Sequence, residues 1–215
     1  MNDTIAAIST ALGVGAISII RVSGDKSIEI VNKIFDKDLE KVKSHTIVYG
    51  HIVDNENIID EVLVSVMKSP KTFTTEDVIE INCHGGIATT NKVLELLLKN
   101  GARMAEAGEF TKRAFLNGRI DLLEAEGEMD LIDSKTEASR KIAMSALSGN
   151  VSRMISNLRN QMIEIITNIE VNIDYPEYED ILVVTTDMIN SSITSLEEKL
   201  IKILKEAENG KIIKN

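Results

Sequence analysis

Between Val151 and Ile173, apolar side chains fall at 151, 154, 155, 158, 162, 165, 166, 169 and 173. The steps are one, three and four residues, and no glycine or proline interrupts them. A β-strand would put these residues on both faces, whereas a helix puts them on one. The stripe therefore predicts one helix of about six turns, closed by Asp174-Tyr175-Pro176, since a residue before proline is pushed out of helical geometry. A second helix is predicted from Asp187, with apolar residues at 189, 193, 196, 200, 203 and 207 and an expected end at Asn209-Gly210. Its alternating steps resemble a coiled coil. Two such helices joined by the acidic stretch EYEDI make a thin core. A third helical partner is expected, from this chain or another.

The first half is built differently. Nine of the twelve glycines lie in residues 1–118, so this part turns often. GAISIIRVSG (15–24) is a β-branched run between glycines and reads as a strand. KSIEIVNKIF (26–35) has helical spacing. HTIVYGHIV (45–53) and IIDEVLVSVM (58–67) read as strands, paired as a hairpin across VDNEN. DVIEINC (77–83) alternates, with Ile79, Ile81 and Cys83 on one face and Val78, Glu80 and Asn82 on the other. ATTNKVLELLLKNG (88–101) reads as a helix capped at Asn100-Gly101. The expected architecture is α+β: a mixed α/β domain over residues 1–118, then an all-helical domain over 119–215. Asp121 and Glu124 are placed to cap the first helix of the second domain.

Composition narrows the function. The net charge is −10, so no global basic field holds nucleic acid, and any RNA contact must be local or come through a partner. The single cysteine, Cys83, excludes an internal disulfide framework and suits a reducing cytoplasm. No run approaches the length of a membrane span, and the acidic N-terminus does not resemble a signal peptide.

Several residues are candidates for chemistry. His84 follows a strand and precedes Gly85-Gly86. It is either a site residue, with glycine N–H groups open to a ligand, or the cap of a tight strand-to-helix turn. His45 and His51 read as strand residues. One histidine and one cysteine do not make a zinc site. Glu80 sits on the polar strand face, where it is either solvated or paired with a heterocycle offering adjacent N–H donors. Arg21 interrupts an apolar run, so it either reaches the surface or meets an anion. Lys112, Arg113, Arg119 and Asp121 crowd one stretch, AGEFTKRAFLNGRID. That corner is either a well-capped helix junction, with Arg119 bridging Asp121 or Glu124, or an anion site. The G-x-x-x-x-G-K-[ST] loop, the N-K-x-D guanine pattern and G-x-G-x-x-G do not occur in these 215 residues.

Five blocks, DTIAAIST, GAISIIRVSG, KTFTTEDVIEINCHGG, GEFTKRAFLNGRIDL and AEGEMDLIDSKTEAS, run in order across residues 3–140. Together they resemble the tRNA modification GTPase family MnmE, also called TrmE. The resemblance implies an N-terminal domain with the tetrahydrofolate-binding, aminomethyltransferase-like fold, which forms a homodimer, and then a helical domain. It implies a Ras-like G domain carrying GTP, Mg2+ and K+, expected beyond NGKIIKN, so the chain reads as a piece without that domain and should not hydrolyse GTP by itself. It further implies a partner flavoprotein, MnmG, a carboxymethylaminomethyl-type group installed at carbon 5 of the tRNA wobble uridine, and 5-formyl-tetrahydrofolate as the one-carbon source. The family's folate contacts fall on Arg21, Glu80 and Arg119 here; no catalytic residue and no metal site is implied in this chain. Ala107 stands where the family often has proline, which loosens the turn before GEFT. Two other functions fit the residues: a stand-alone folate-dependent one-carbon transferase, and a helical adaptor whose first half only dimerises.

Overall fold

The computed structural model describes residues 3–11, 13–175 and 185–214, with side chains described as far as residue 205. The stretch EYEDI and Pro176 lie outside the described residues. The chain divides into two compact units, residues 1–120 and 121–215.

The first unit is a six-stranded sheet with helices against one face. Its strands are β1 (Ile5–Ile8), β2 (Ile17–Ser23), β3 (Thr46–Asp54), β4 (Asn57–Met67), β5 (Val78–His84) and β6 (Arg103–Met104), in the order β3-β4-β5-β2-β1-β6. All neighbours are antiparallel except β1 and β6, which run parallel. The β3–β4 hairpin turns at Asn55-Glu56, with Asn55 at φ 56°, a left-handed geometry that asparagine tolerates better than most residues.

Alternation along the strands sorts the two faces. Ile20 and Val22 of β2, Val62, Val64 and Val66 of β4, and Ile79 and Ile81 of β5 are buried in one cluster. Helices α1 (Ser27–Asn32) and α2 (Ile87–Lys99) cover it, α1 with Ile30 and Val31 and α2 with Val93, Leu96 and Leu97. Burying each such side chain contributes about 1.5–3 kcal/mol. Ile17, Tyr49, Leu63, Glu80 and Asn82 point to the other face. Val78 keeps the phase of Glu80 and Asn82 and is nevertheless buried, where it pairs with Ser23 on one side and Met67 on the other. The strands β1 and β6 and the helix α3 (Glu109–Leu116) were not expected at all. β1 and β6 are too short to carry a period, and β6 exists only through its pairing with β1.

The second unit holds α4 (Leu122–Asp133), α5 (Glu137–Leu147), α6 (Asn150–Asp174) and α7 (Thr186–Lys214). Asp121 and Glu124 form the expected capping box, each side chain accepting from the other's backbone N–H at 2.8 Å. Thr136 and Ser139 repeat the device for α5. Gly127 of α4 has to be glycine: a Cβ there would stand 2.7 Å from the Leu147 nitrogen and 2.9 Å from the Ala146 Cβ, so α4 meets the end of α5 at backbone distance. The stripe on α6 is present but only partly covered, and none of its side chains is fully buried. The expected stop of α7 at Asn209-Gly210 is wrong, since the helix runs on to Lys214. A single glycine inside a helix costs about 1 kcal/mol relative to alanine, which a long helix absorbs.

Candidate functional site

The antiparallel register of β2 and β5 sets Arg21 directly opposite Glu80 on the outer face of the sheet. Their side chains pair there: Arg21 Nε donates to Glu80 Oε1 at 2.9 Å, and Nη2 lies 2.7 Å from the same oxygen. Both contacts end on Oε1, and Oε2 takes neither. The arginine in the apolar run therefore faces outward and meets a carboxylate, and both side chains stay about a quarter exposed.

Phe73 stands over this pair. It sits on the loop between β4 and β5, and the Arg21 guanidinium carbon lies 5.3 Å from its ring centroid. Phe110 of α3 approaches the same guanidinium at 5.6 Å. Arg119 comes from the segment after α3; its guanidinium carbon is 4.9 Å from the Phe73 centroid and its Nη1 donates to the Phe73 carbonyl at 3.1 Å. Arg119 thus bonds to Phe73 and not to Asp121 or Glu124, the partners expected for a plain helix junction. Arg21 and Arg119, 98 positions apart, converge on one aromatic ring, and Glu80 joins them through its pair with Arg21. Contacts of this cation–ring type contribute about 0.5–1 kcal/mol at exposed positions.

A cavity of about 490 Å3 opens on the Arg119 side of the ring, within the range of small-molecule sites. Pro70, Lys71, Thr72, Thr75 and Asn117 contribute to its wall, together with Phe73 and Arg119. None of the described residues lining it is acidic. Arg21 and Glu80 are not in that wall; Arg21 reaches it through Phe73, and Glu80 through Arg21.

The loop carrying Phe73 is fastened from below. Asn117 Nδ2 donates to the Thr74 carbonyl at 2.6 Å. Ser23 Oγ donates to Glu76 Oε2 at 2.7 Å and contacts Thr74 Oγ1 at 2.6 Å. Arg113, only 1% exposed, donates to both Glu76 oxygens at 3.0 and 3.1 Å, to Asp3 Oδ1 at 2.7 Å and to Glu109 Oε1 at 3.2 Å. Arg103 adds bonds to Glu109 at 2.6 Å and to Asp3 at 2.7 Å. The Arg103 hydrogen bond, with help from the Glu106 N–H and Arg113, holds the Glu109 carboxyl down at about 2. Among the four crowded residues, Arg113 is therefore no anion site for a ligand: the chain's own carboxylates fill its fork. A buried guanidinium requires such partners.

His84 is separate from this cluster, four residues along β5 from Glu80 and so about 13 Å away by strand rise. Its backbone N–H and Nδ1 both reach the Asp60 carboxylate, at 2.8 and 2.7 Å, and that carboxylate raises the imidazole's pKa. Gly85 does not leave its N–H open to a ligand, because it donates to the Ala16 carbonyl at 3.2 Å. The glycine is required by close backbone packing, as a Cβ would collide with the Gly15 carbonyl. His51 pairs with Asp36 at 2.8 Å. Among the described residues no group of three or more His, Cys, Asp or Glu is arranged to hold a metal ion, and no helix is long and apolar enough to cross a membrane.

Sequence reasoning missed Phe73 and Lys71. The available signal was scarcity: the chain has four phenylalanines, and one of them stands in KTFTTED, three residues before the glutamate that Arg113 binds.

Comparison with known proteins agrees with this architecture. Residues 4–119 match the family model described as the GTP-binding protein TrmE N-terminus, and residues 122–215 match the MnmE helical domain. The chain is 56% identical over 216 residues to the tRNA modification GTPase MnmE of Ligilactobacillus salivarius, with 99% of this chain and 46% of that protein covered. The protein of the same name from Streptococcus thermophilus is 56% identical over 213 residues, covering 99% and 47%, and that of Bacillus cytotoxicus 54% over 215 residues, covering 99% and 47%. The chain thus spans about half the length of these relatives. By its α/β unit and by the helical unit that follows, the chain belongs to the TrmE/MnmE family.

Proposed function

We propose that this chain supplies the folate-binding part of a tRNA modification GTPase. The observation that carries the reading is the convergence of Arg21 and Arg119 on Phe73, with Glu80 paired to Arg21. The donor set suits a reduced folate at both ends. Glu80 keeps Oε2 for the adjacent N–H donors of a pterin, and its charge-assisted bonds are the strong kind. Phe73 offers a ring face to the flat middle of the ligand. Arg119, exposed beside a cavity without carboxylates, is suited to a glutamyl carboxylate. Arg21, already neutralised by Glu80, would orient that carboxylate. When bound, 5-formyl-tetrahydrofolate carries the one-carbon unit; the residues named here bind and orient it.

In the same reading the α/β unit forms a homodimer. The assembly acts with the flavoprotein MnmG on carbon 5 of the tRNA wobble uridine, in the cytoplasm, and GTP, Mg2+ and K+ are bound by the part of the relatives that this chain does not span. Isothermal titration with 5-formyl-tetrahydrofolate tests the folate claim. Glu80→Ala and Arg119→Ala are each expected to weaken binding about tenfold or more, and parent-like affinity in both would sink the assignment.

A further inference from the structure

The folate reading makes no use of the most deeply buried charges in the α/β unit. Arg113 is 1% exposed, Glu109 3%, and the Glu76 side chain 11%. A buried ionic cluster often adds no stability over apolar side chains of the same volume, because each charge loses its water. This cluster joins three segments. The Arg113 fork on α3 reaches Asp3 ahead of β1, Glu76 at the end of the β4–β5 loop, and Glu109 one turn earlier on its own helix. Two of these segments carry the rings at Arg21. Phe73 stands three residues before Glu76, and Phe110 three residues before Arg113. The rings lie at nearly equal distance from the Arg21 guanidinium carbon, 5.3 and 5.6 Å.

The chain between Phe73 and Glu76 transmits the position of that carboxylate. Thr72 Oγ1 donates to the Glu76 carbonyl at 2.6 Å, and the Glu76 N–H donates to Thr74 Oγ1 at 3.3 Å. Thr75 is held there at φ 61°, a left-handed conformation that persists only where the surroundings impose it. Ser23, two residues along β2 from Arg21, donates to Glu76 Oε2 and ties the loop to the strand that carries the arginine.

We infer that Arg113 and Glu76 are positioning residues for the folate site: their buried pair places Phe73 and Phe110 against Arg21, and this placement sets how tightly folate binds. The inference rests on the folate reading above. Neither residue touches the ligand; each acts through a ring. A ring already held in place loses little freedom when a ligand arrives, which is how preorganisation raises affinity.

The test uses residues 1–215 labelled with fluorophenylalanine, the four ring resonances being assigned by substituting each phenylalanine in turn. Glu76→Gln leaves Arg113 with Asp3 and Glu109, so the fold should persist, as urea unfolding checks. Its Phe73 resonance is expected to move toward that of a solvated ring, while the resonance of Phe35, buried in the core, stays in place. Arg113→Lys keeps the charge but not the fork, and should move the Phe110 resonance as well. Calorimetry supplies the second reading. Glu76→Gln should weaken 5-formyl-tetrahydrofolate binding about fivefold in the parent. In a Phe73→Ala background the same substitution should change it less than about twofold, because the ring through which it acts is gone. A Phe73 resonance unmoved by Glu76→Gln, or an equal loss of affinity with and without the ring, overturns the positioning role and leaves the folate reading intact. A parent that binds no folate sinks that reading and the affinity part of the inference with it, while the fluorine spectra still decide whether the pair places the rings.

Discussion

The two units of this chain reach order by unlike routes. In the α/β unit, Ile20, Val64, Ile79 and Ile81 are sealed between the sheet and two helices, each at 0% exposure. In the helical unit, α6 carries the longest apolar stripe in the sequence, yet Ile155, Met162 and Ile166 remain about half exposed. A sheet with one covered face closes its core by pairing segments far apart in sequence, β2 with β5 and β1 with β6. A pair of long helices leaves each stripe half open. Charge follows the same division. The α/β unit buries an arginine among three carboxylates, whereas the ion pairs of the helical unit, such as Arg140–Glu137, lie on its surface.

The sharpest way to break this contrast is at Arg113. Arg113→Met strands Asp3, Glu76 and Glu109 without their shared cation and is expected to cost about 4 kcal/mol, read from urea unfolding. Arg140→Ala should leave the urea midpoint unchanged. If both substitutions behave alike, the buried cluster is not what distinguishes the units. Packing gives the next largest effect. Ile81→Ala should cost about 3 kcal/mol by cavity formation, while Ile166→Ala on the half-open stripe should cost about 1 kcal/mol. Native-state hydrogen exchange should report the two losses in different units.

Acid sharpens the comparison further. Glu109 has its carboxyl at about 2 in the folded chain against 4.5 ordinarily. The depressed value means its stabilising contribution is complete above about pH 4.5 and is lost as pH falls through about 2. The Asp3 carboxyl, held low chiefly by its Arg103 hydrogen bond, acts in the same direction. Acid titration followed by NMR should therefore show the α/β unit loosening in that window, and Glu109→Gln should flatten the dependence. The smallest effect is expected at Thr75. Thr75→Gly removes a strained left-handed residue and should raise the melting free energy by about 1 kcal/mol; a drop would mean that the side chain contributes more than its strain costs.

Much of the secondary structure was legible because it is local. β5 showed period 2 in Ile79, Ile81 and Cys83, α6 showed its stripe, and Asp121 and Glu124 announced a capping box that is present. Strands β1 and β6 left no trace because four and two residues are too few to display a period. The site was legible only in part. Arg21 and Glu80 looked misplaced one at a time, and the likeness to the family named them with Arg119. Only the β2–β5 register makes the first two partners. Arg113 looked like one more cation in a crowded corner until the fold set Asp3, 110 residues earlier, against it.

The division has one physical cause. Periodicity, caps and glycine turns depend on neighbours within a few residues, so the sequence alone determined an α/β half, a helical half and the residues that break their local patterns. Charge pairing and ring stacking depend on which distant segments arrive within a few ångströms of one another. Only the tertiary structure decided that Arg113 is answered by the chain itself, while Lys71 and Arg119 are left facing an open cavity.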